Sequence, residues 1–391
     1  MKKILLTALL AAVASSGYAE VKMGIILGFT GPIESLAPDM ADSAEMAFEE
    51  ASASGKFLGG ETIASVRADS TCIDAAAATA AAERLLSEGV AAIVGADCSG
   101  VTGAVVSNVS STQGVTTISP SATSPGLSTI NDNGFFFRTA PSDARQGAVI
   151  AEYLSEQGIA DVAVAYINND YGKGLADVFV SEFEAKGGEV LLSASHEGDK
   201  ADYSAEVAAL AASGASTLVV LSYLDQGGNA IVQGSIDQDA FEQYIFGDGM
   251  KGQSIIDAIG SDLDGTLVFA PGGQTAGQDN FIKNAEAVGI NAKGPYTGTS
   301  YDAAALAILA AQAAGSADRA GIAAQVMNVA NAPGDVILAG ELAKGLEILA
   351  AGGEINYDGA TDIELIGPGE ASGGYEVAEI RGGEAQVIEY R

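Results

Sequence analysis

From Val21 onward, short apolar runs alternate with segments whose apolar residues recur at helical spacing, and few long gaps interrupt them. Val21–Gly28 reads as a strand bounded by the Gly31-Pro32 turn, and Ala44, Ala47, Phe48 and Ala51 mark one face of a helix. Strands at Thr62–Ala68, Ala91–Gly95, Val115–Ile118 and Phe135–Arg138 follow, with helices at Asp74–Ser87 and about Gly100–Gln113 between them. A second series starts near Pro141. Its strands are Val162–Ile167, Glu189–Ser193, Thr217–Leu221, Tyr244–Phe246 and Thr266–Ala270, and its helices Arg145–Glu156, Gly174–Ala185, Gly227–Ile236 and Gly252–Ile259. A further helix starts at Asp202-Tyr203-Ser204, where a short polar side chain can cap free N–H groups. Four more helices, around Asn280–Val288, Tyr301–Ala314, Ile322–Ala330 and Gly340–Ala350, precede a hairpin, Tyr375–Ile380 and Ala385–Tyr390, turned at Gly382-Gly383. Such alternation predicts an α/β fold of doubly wound parallel sheets with helices on both faces. The two series are about equal, and 391 residues suit two lobes at roughly 100–200 residues per domain.

The opening nineteen residues carry a different pattern. Lys2 and Lys3 precede the apolar run Ile4–Val13, too short to span a bilayer, and Gly17 and Ala19 are the small residues of a cleavage site. Residues 1–19 are therefore expected to be a signal peptide, which in a bacterium predicts a periplasmic protein. Cleavage after Ala19 leaves Glu20 at the new terminus, which excludes a lipid-anchored cysteine there. No later segment is expected to cross a membrane, because Asp302 and Gln312 interrupt the alanine-rich stretch Tyr301–Gly315. The formal net charge of −33 argues against nucleic-acid or anionic-membrane partners, which such a surface would repel. In an oxidising compartment the only two cysteines, Cys72 and Cys98, are expected to form a disulfide, the alternative being two separate buried thiols. A bridge closing a loop of this length would contribute roughly 3 kcal/mol in the chain-entropy model.

Ligands of open α/β sheets gather beyond the carboxyl ends of the strands. The loops expected there are Asp97-Cys98-Ser99-Gly100 and Ser119-Pro120-Ser121-Ala122-Thr123 in the first series. Asn168–Gly172, Ser222–Asp225 and Gly247-Asp248-Gly249 are their counterparts in the second. The first pair offers hydroxyls and backbone N–H groups suited to a carboxylate; the other three offer carboxylates and aromatics. Together they would hold a zwitterion. Taken singly, each has a plainer role as a helix cap, a turn residue or cover for the core edge.

These residues resemble the periplasmic substrate-binding proteins of amino-acid ABC transporters, of the leucine/isoleucine/valine-binding type. The resemblance runs from Val21 to about Val387. It is carried in order by Gly31-Pro32, Cys72 with Cys98-Ser99, Ile118–Pro125, Phe137-Arg138-Thr139, Asp170–Gly174 and Asp202-Tyr203-Ser204. It implies that Ser99 and Thr123, with backbone groups at Ser121 and Ala122, hold a ligand carboxylate. It further implies second-lobe contacts from Tyr171 and Tyr223, and Asp248 as partner of the α-amino group, ahead of Asp170 and Asp225. The implied fold has three hinge crossings, near Thr139–Pro141, Phe269–Pro271 and Glu354–Tyr357, with ligand in the cleft between the lobes. That assigns residues 21–140 plus 270–355 to the N-terminal lobe and 141–269 plus 356–391 to the C-terminal lobe. The family function would be capture of a small amino acid, aliphatic ones first, by a monomer that serves an inner-membrane ABC permease without a cofactor. The chain departs from the family at Ile33-Glu34-Ser35-Leu36, at Leu224 in place of a second Tyr, and at Asp248 in place of Glu, so the side-chain pocket is left open.

An enzyme would need a nucleophile with its base, a metal cluster or a phosphate loop. His196, the single histidine, lies far from any nucleophile elbow and is expected to be structural or solvent-exposed. Gly172-Lys173-Gly174 lacks P-loop spacing, and Asn131–Gly134 reads as a turn rather than a calcium loop. A freestanding ligand sensor, or transport of a non-amino-acid carboxylate or amide, is the alternative to amino-acid transport.

Overall fold

The computed structural model describes residues 20–225 and 227–391; the expected signal peptide, residues 1–19, lies outside the described residues. The first series forms β1 (Glu20–Leu27), β2 (Thr62–Asp69), β3 (Ala92–Gly95), β4 (Thr116–Ser119) and β5 (Phe136–Pro141). The second forms β6 (Asp161–Ile167), β7 (Glu189–His196), β8 (Thr217–Leu221), β9 (Gln243–Phe246) and β10 (Leu267–Pro271). Each set is parallel, and the two share one order: β2-β1-β3-β4-β5 and β7-β6-β8-β9-β10. Helices cover both faces, so β3, β4 and β8 are buried along their whole length, as a parallel sheet in a doubly wound lobe requires. In both sheets the order reverses at the first strand of the series, so the switch point where such folds bind ligands lies between the first and third strands, β1/β3 and β6/β8.

The helix Thr297–Ala314 is apolar on every side and buried from Thr299 through Gln312. It packs between helices Ala37–Ala53 and Arg319–Ala330, so the alanine-rich stretch is the spine of the first lobe. The descending chain adds β11 (Asp335–Leu338) and β12 (Ile355–Gly359), a small parallel pair that the sequence reading missed. Two short strands, β13 (Leu365–Ile366) and β14 (Glu370–Ala371), extend the first sheet, and the hairpin β15 (Tyr375–Arg381) and β16 (Glu384–Tyr390) completes the second. Gly382 and Gly383 turn the hairpin as expected.

The third crossing differs from expectation. Residues 356–371 stay with the first lobe, because β14 pairs in parallel with β5 and Glu370 accepts hydrogen bonds from Arg138 Nη2 (2.5 Å) and Ser128 Oγ (2.6 Å). The chain changes sheet after Ala371 rather than at Glu354–Tyr357. The first two crossings fall at the ends of β5 and β10, close to Pro141 and Pro271. All three adjoin: Gly272 N–H donates to Gly374 O (3.0 Å) and Tyr375 OH donates to Ser142 O (3.2 Å).

Candidate functional site

The first-lobe side of the cleft is built from loops tied down by their own hydrogen bonds. Buried Asp97, just after β3, accepts from Gly28 N–H (2.5 Å), Ser70 Oγ (2.9 Å) and Cys98 N–H (3.0 Å). Cys72 and Cys98 are joined by the expected disulfide, which fastens the loop after β2 to the start of the helix that Ser99 opens. In the loop after β4, Ser121 Oγ donates to Asp97 O (3.0 Å) and Ala122 N–H donates to Ser119 Oγ (3.0 Å). Arg138 Nη1 donates to Ala122 O (3.0 Å) and Ser124 O (2.9 Å), holding that loop from behind.

The second-lobe side carries charge and aromatic faces. Asn169 caps the helix Asp170–Ala185, its Oδ1 accepting from Gly172 N–H (2.9 Å), and this sets Tyr171 in the first turn. Tyr171 and Tyr223, which follow the switch-point strands β6 and β8, stack with ring centroids 5.0 Å apart. Tyr171 OH donates to Asp248 Oδ1 (2.7 Å) and accepts from Gly249 N–H (3.0 Å). A Cβ on Gly249 would lie 2.9 Å from that hydroxyl and 2.6 Å from Ser222 O, so only glycine admits this approach. Asp248 is 1% exposed, and burial pushes its carboxyl above the ordinary aspartate range while the tyrosine hydrogen bonds pull it back.

Ser99, Ser121, Tyr171, Tyr223 and Asp248 line one pocket with Asp97, Cys98 and Gly249. Ala122 and Thr123 do not line it. Ala122 packs with Val106, Leu127 and Phe136, while Thr123 Oγ1 is buried without a hydrogen-bond partner. One lining residue, Tyr296, was missed, and two more come from the Ile33–Leu36 segment whose place in the pocket the sequence left open. Tyr296, before the helix Thr297–Ala314, reaches from the first lobe and donates its hydroxyl to Asp248 Oδ2. Ile33 and Leu36 are buried over the pocket, whereas Glu34 is exposed. Leu224 is buried beside Gly252 and Leu36, outside the lining.

The lobes meet around this pocket. Asp225 N–H donates to Pro32 O (3.1 Å), and its carboxylate accepts from Ser35 N–H (3.0 Å) and Ser254 Oγ (2.7 Å). Asp225 is thus a clasp between lobes, and Asp170 is exposed. His196 ends β7 and is buried, with Nδ1 2.9 Å from Glu197 O. Among the described residues no group of three or more His, Cys, Asp and Glu is placed to hold a metal. Asp132 closes the Asn131–Gly134 turn by accepting from Gly134 N–H (2.9 Å).

Two lobes of identical strand order, joined by three crossings and facing each other over a pocket at their switch points, define a two-lobed solute-binding fold. Residues 20–343 match the family described as "Periplasmic binding protein", and the chain belongs to it. Leu/Ile/Val-binding protein homolog 1 of Brucella melitensis is 31% identical over 314 residues, 78% of this chain and 82% of that protein. A chemotactic signal transduction system substrate-binding protein, BasB of Halobacterium salinarum, is 27% identical over 92% of this chain and 87% of its own. Among solved structures, the branched-chain amino acid substrate-binding protein LivJ of Streptococcus pneumoniae, in complex with isoleucine, superposes with a TM-score of 0.78 at 21% identity, covering 95% of this chain and 99% of that one. A solute-binding protein of R. palustris in complex with benzoate superposes with a TM-score of 0.77 at 18% identity, covering 95% and 96%.

Proposed function

We propose that this protein captures a small aliphatic α-amino acid in the interlobe pocket and delivers it to an ABC permease, after export directed by residues 1–19 has brought it to the periplasm. One observation carries the reading: a buried carboxylate, Asp248, presented by tyrosine hydroxyls beside a cover of Ile33 and Leu36. A zwitterion entering a closing cleft loses water from both charges, so each must be met by the protein. Asp248 answers the ammonium; the Ser99 hydroxyl, which accepts from Ser124 N–H (3.1 Å) and keeps its proton to donate, answers the carboxylate. Ile33, Leu36 and the stacked Tyr171 and Tyr223 rings supply an apolar surface for an aliphatic side chain.

A benzoate-like ligand suits this pocket less well, because its only charge would have to lie near Asp248. The likeness to BasB over most of the chain supports a second reading, in which the liganded protein is presented to a membrane-bound sensor. Calorimetry on the mature protein with leucine, isoleucine, valine and benzoate tests the ligand class. The branched-chain amino acids should bind, benzoate should not, and Asp248→Asn should weaken the amino acids by roughly 2–5 kcal/mol, as for a charge that loses its partner. Binding of benzoate without the amino acids would overturn the proposal. Pull-down of the liganded protein by a permease or by a sensor separates the two readings.

A further inference from the structure

The turn that covers the ligand pocket is fastened from both lobes. Its base rests on the first lobe. Gly31 takes a left-handed backbone (φ 104°), and a Cβ there would lie 2.4 Å from Thr71 O, so only glycine lets the turn sit against the loop carrying Cys72. Within the turn, Glu34 N–H donates to Gly31 O (3.2 Å) and Leu36 N–H to Ile33 O (3.0 Å). Its outer side is held by Asp225 of the second lobe, two residues after the pocket-lining Tyr223. Asp225 N–H donates to Pro32 O (3.1 Å); one carboxylate oxygen accepts from Ser35 N–H (3.0 Å) and the other from Ser254 Oγ (2.7 Å).

The surroundings of this carboxylate make it more than a chance rim contact. Ser35 precedes Leu36, the N-cap of the helix Ala37–Ala53, and that helix has no side-chain cap of its own. Asp225 therefore brings, from the opposite lobe, the negative charge that the positive end of a 17-residue helix favours. Its second donor, Ser254, lies in the first turn of Gln253–Ile259, just after Gly252. A Cβ on Gly252 would lie 2.9 Å from Leu224 Cδ1 and 3.5 Å from Leu36 Cδ2, so Leu36 also packs on the second lobe beside the same aspartate. Ile33 and Leu36 are the residues of this turn that line the pocket. What Asp225 holds down is thus the apolar cover of the ligand.

We propose that Asp225 is a positioning residue for ligand selection: as the cleft closes it latches the Ile33–Leu36 turn onto the second lobe, which slows ligand release and tightens the choice of ligand side chain. The latch stands on the contacts alone, and the choice among side chains rests on the amino-acid reading above. Pro32 and Ser35 belong to one lobe and Asp225 to the other, so their hydrogen bonds exist only with the lobes together and favour that state. Contacts made after encounter act on dissociation more than on association. A branched side chain covers more of Ile33 and Leu36 than a methyl group does, so a loosened turn should cost leucine more than alanine. The same turn is where the chain departs from the family it resembles, so its fastening bears on what distinguishes this protein's pocket.

Stopped-flow binding of leucine and alanine tests the effect on ligand. In Asp225→Ala, leucine should dissociate about tenfold faster while its association rate stays within about twofold, the size expected of a charge-assisted contact on a partly exposed rim. Asp225→Asn keeps the shape and loses the charge, so its effect should be smaller. Ser254→Ala should also speed release, and should add little on top of Asp225→Ala, because Ser254 acts through that carboxylate. The preference for leucine over alanine should fall in Asp225→Ala. Unchanged release, a loss that falls on association instead, or equal weakening of the two amino acids would overturn the proposal.

A second measurement needs no ligand. Ser35 Oγ and Ser254 Oγ lie 3.5 Å apart across the cleft, so a Ser35→Cys, Ser254→Cys double variant can be oxidised to an interlobe disulfide at a rate that follows the closed population. The buried Cys72–Cys98 bridge is already formed and takes no part. Adding Asp225→Ala should slow this oxidation severalfold, and an equal rate would overturn the latch. Failure of both amino acids to bind the parent would count against the amino-acid reading alone, because the oxidation rate judges the latch by itself. Without ligand, Asp225→Ala should melt close to the parent, since the lost contacts join the lobes and hold neither core. A variant that melts far below the parent would make Asp225 a part of its own lobe's fold and overturn the proposal.

Discussion

The two lobes share a strand order and differ in what they bring to the cleft. The first-lobe loops are tied down from within: Gly28 N–H donates to the Asp97 carboxylate and Ser121 Oγ to its backbone O, Ser119 Oγ links Ala96 O to Ala122 N–H, Arg138 Nη1 donates to Ala122 O, and a disulfide locks the result. The second-lobe side holds a buried carboxylate at Asp248 with no cationic side chain bonded to it, and borrows a hydroxyl from Tyr296 across the cleft. One fold thus produces a rigid polar wall and an electrostatically unfinished one. Shape is supplied mostly by the first, and the demand for a cation by the second.

Breaking the rigid wall should cost stability more than charge recognition. Replacing Cys72 and Cys98 together by Ala should lower unfolding free energy by roughly 3 kcal/mol, measured by urea denaturation. Alkylation of denatured parent protein should meanwhile find no free thiol. A smaller effect, on the order of 1–3 kcal/mol in ligand affinity, is expected for Ser99→Ala, which removes one hydroxyl at the pocket and no charge. Calorimetry checks it, and equal losses for Ser99→Ala and Asp248→Asn would erase the contrast between the lobes. The smallest effect belongs to Glu34→Gln. Its side chain is exposed beside Ile33, so binding should move by no more than about 0.5 kcal/mol.

Much of this was readable from local pattern. Buried parallel strands announce themselves as short apolar runs, and the strand-end loops carrying Ser99, Ser121, Tyr171, Tyr223 and Asp248 were found from that alternation. The misses have tertiary causes. Asp143 looks like any acid in a first helical turn, and only its complete burial makes it unusual. Tyr296 lies in a connecting loop and takes a left-handed backbone (φ 61°), so its reach across the cleft has no periodic signal. Residues 356–371 were given to the wrong lobe because β13 and β14, two residues each, are too short to show alternation. Their attachment rests on Arg138 and Glu370, far apart in the chain.

The central claim is that the second lobe recognises the positive end of the ligand and the first lobe the negative end. Its most direct test compares leucine with 4-methylpentanoate, which keeps the carboxylate and the branched chain and lacks the ammonium, against the parent, Asp248→Asn and Ser99→Ala. The parent should prefer leucine strongly; Asp248→Asn should lose most of that preference, and Ser99→Ala should keep it while binding both more weakly. If Asp248→Asn weakens both ligands equally, the preference being preserved, the ammonium is held elsewhere and the division of labour between the lobes is wrong.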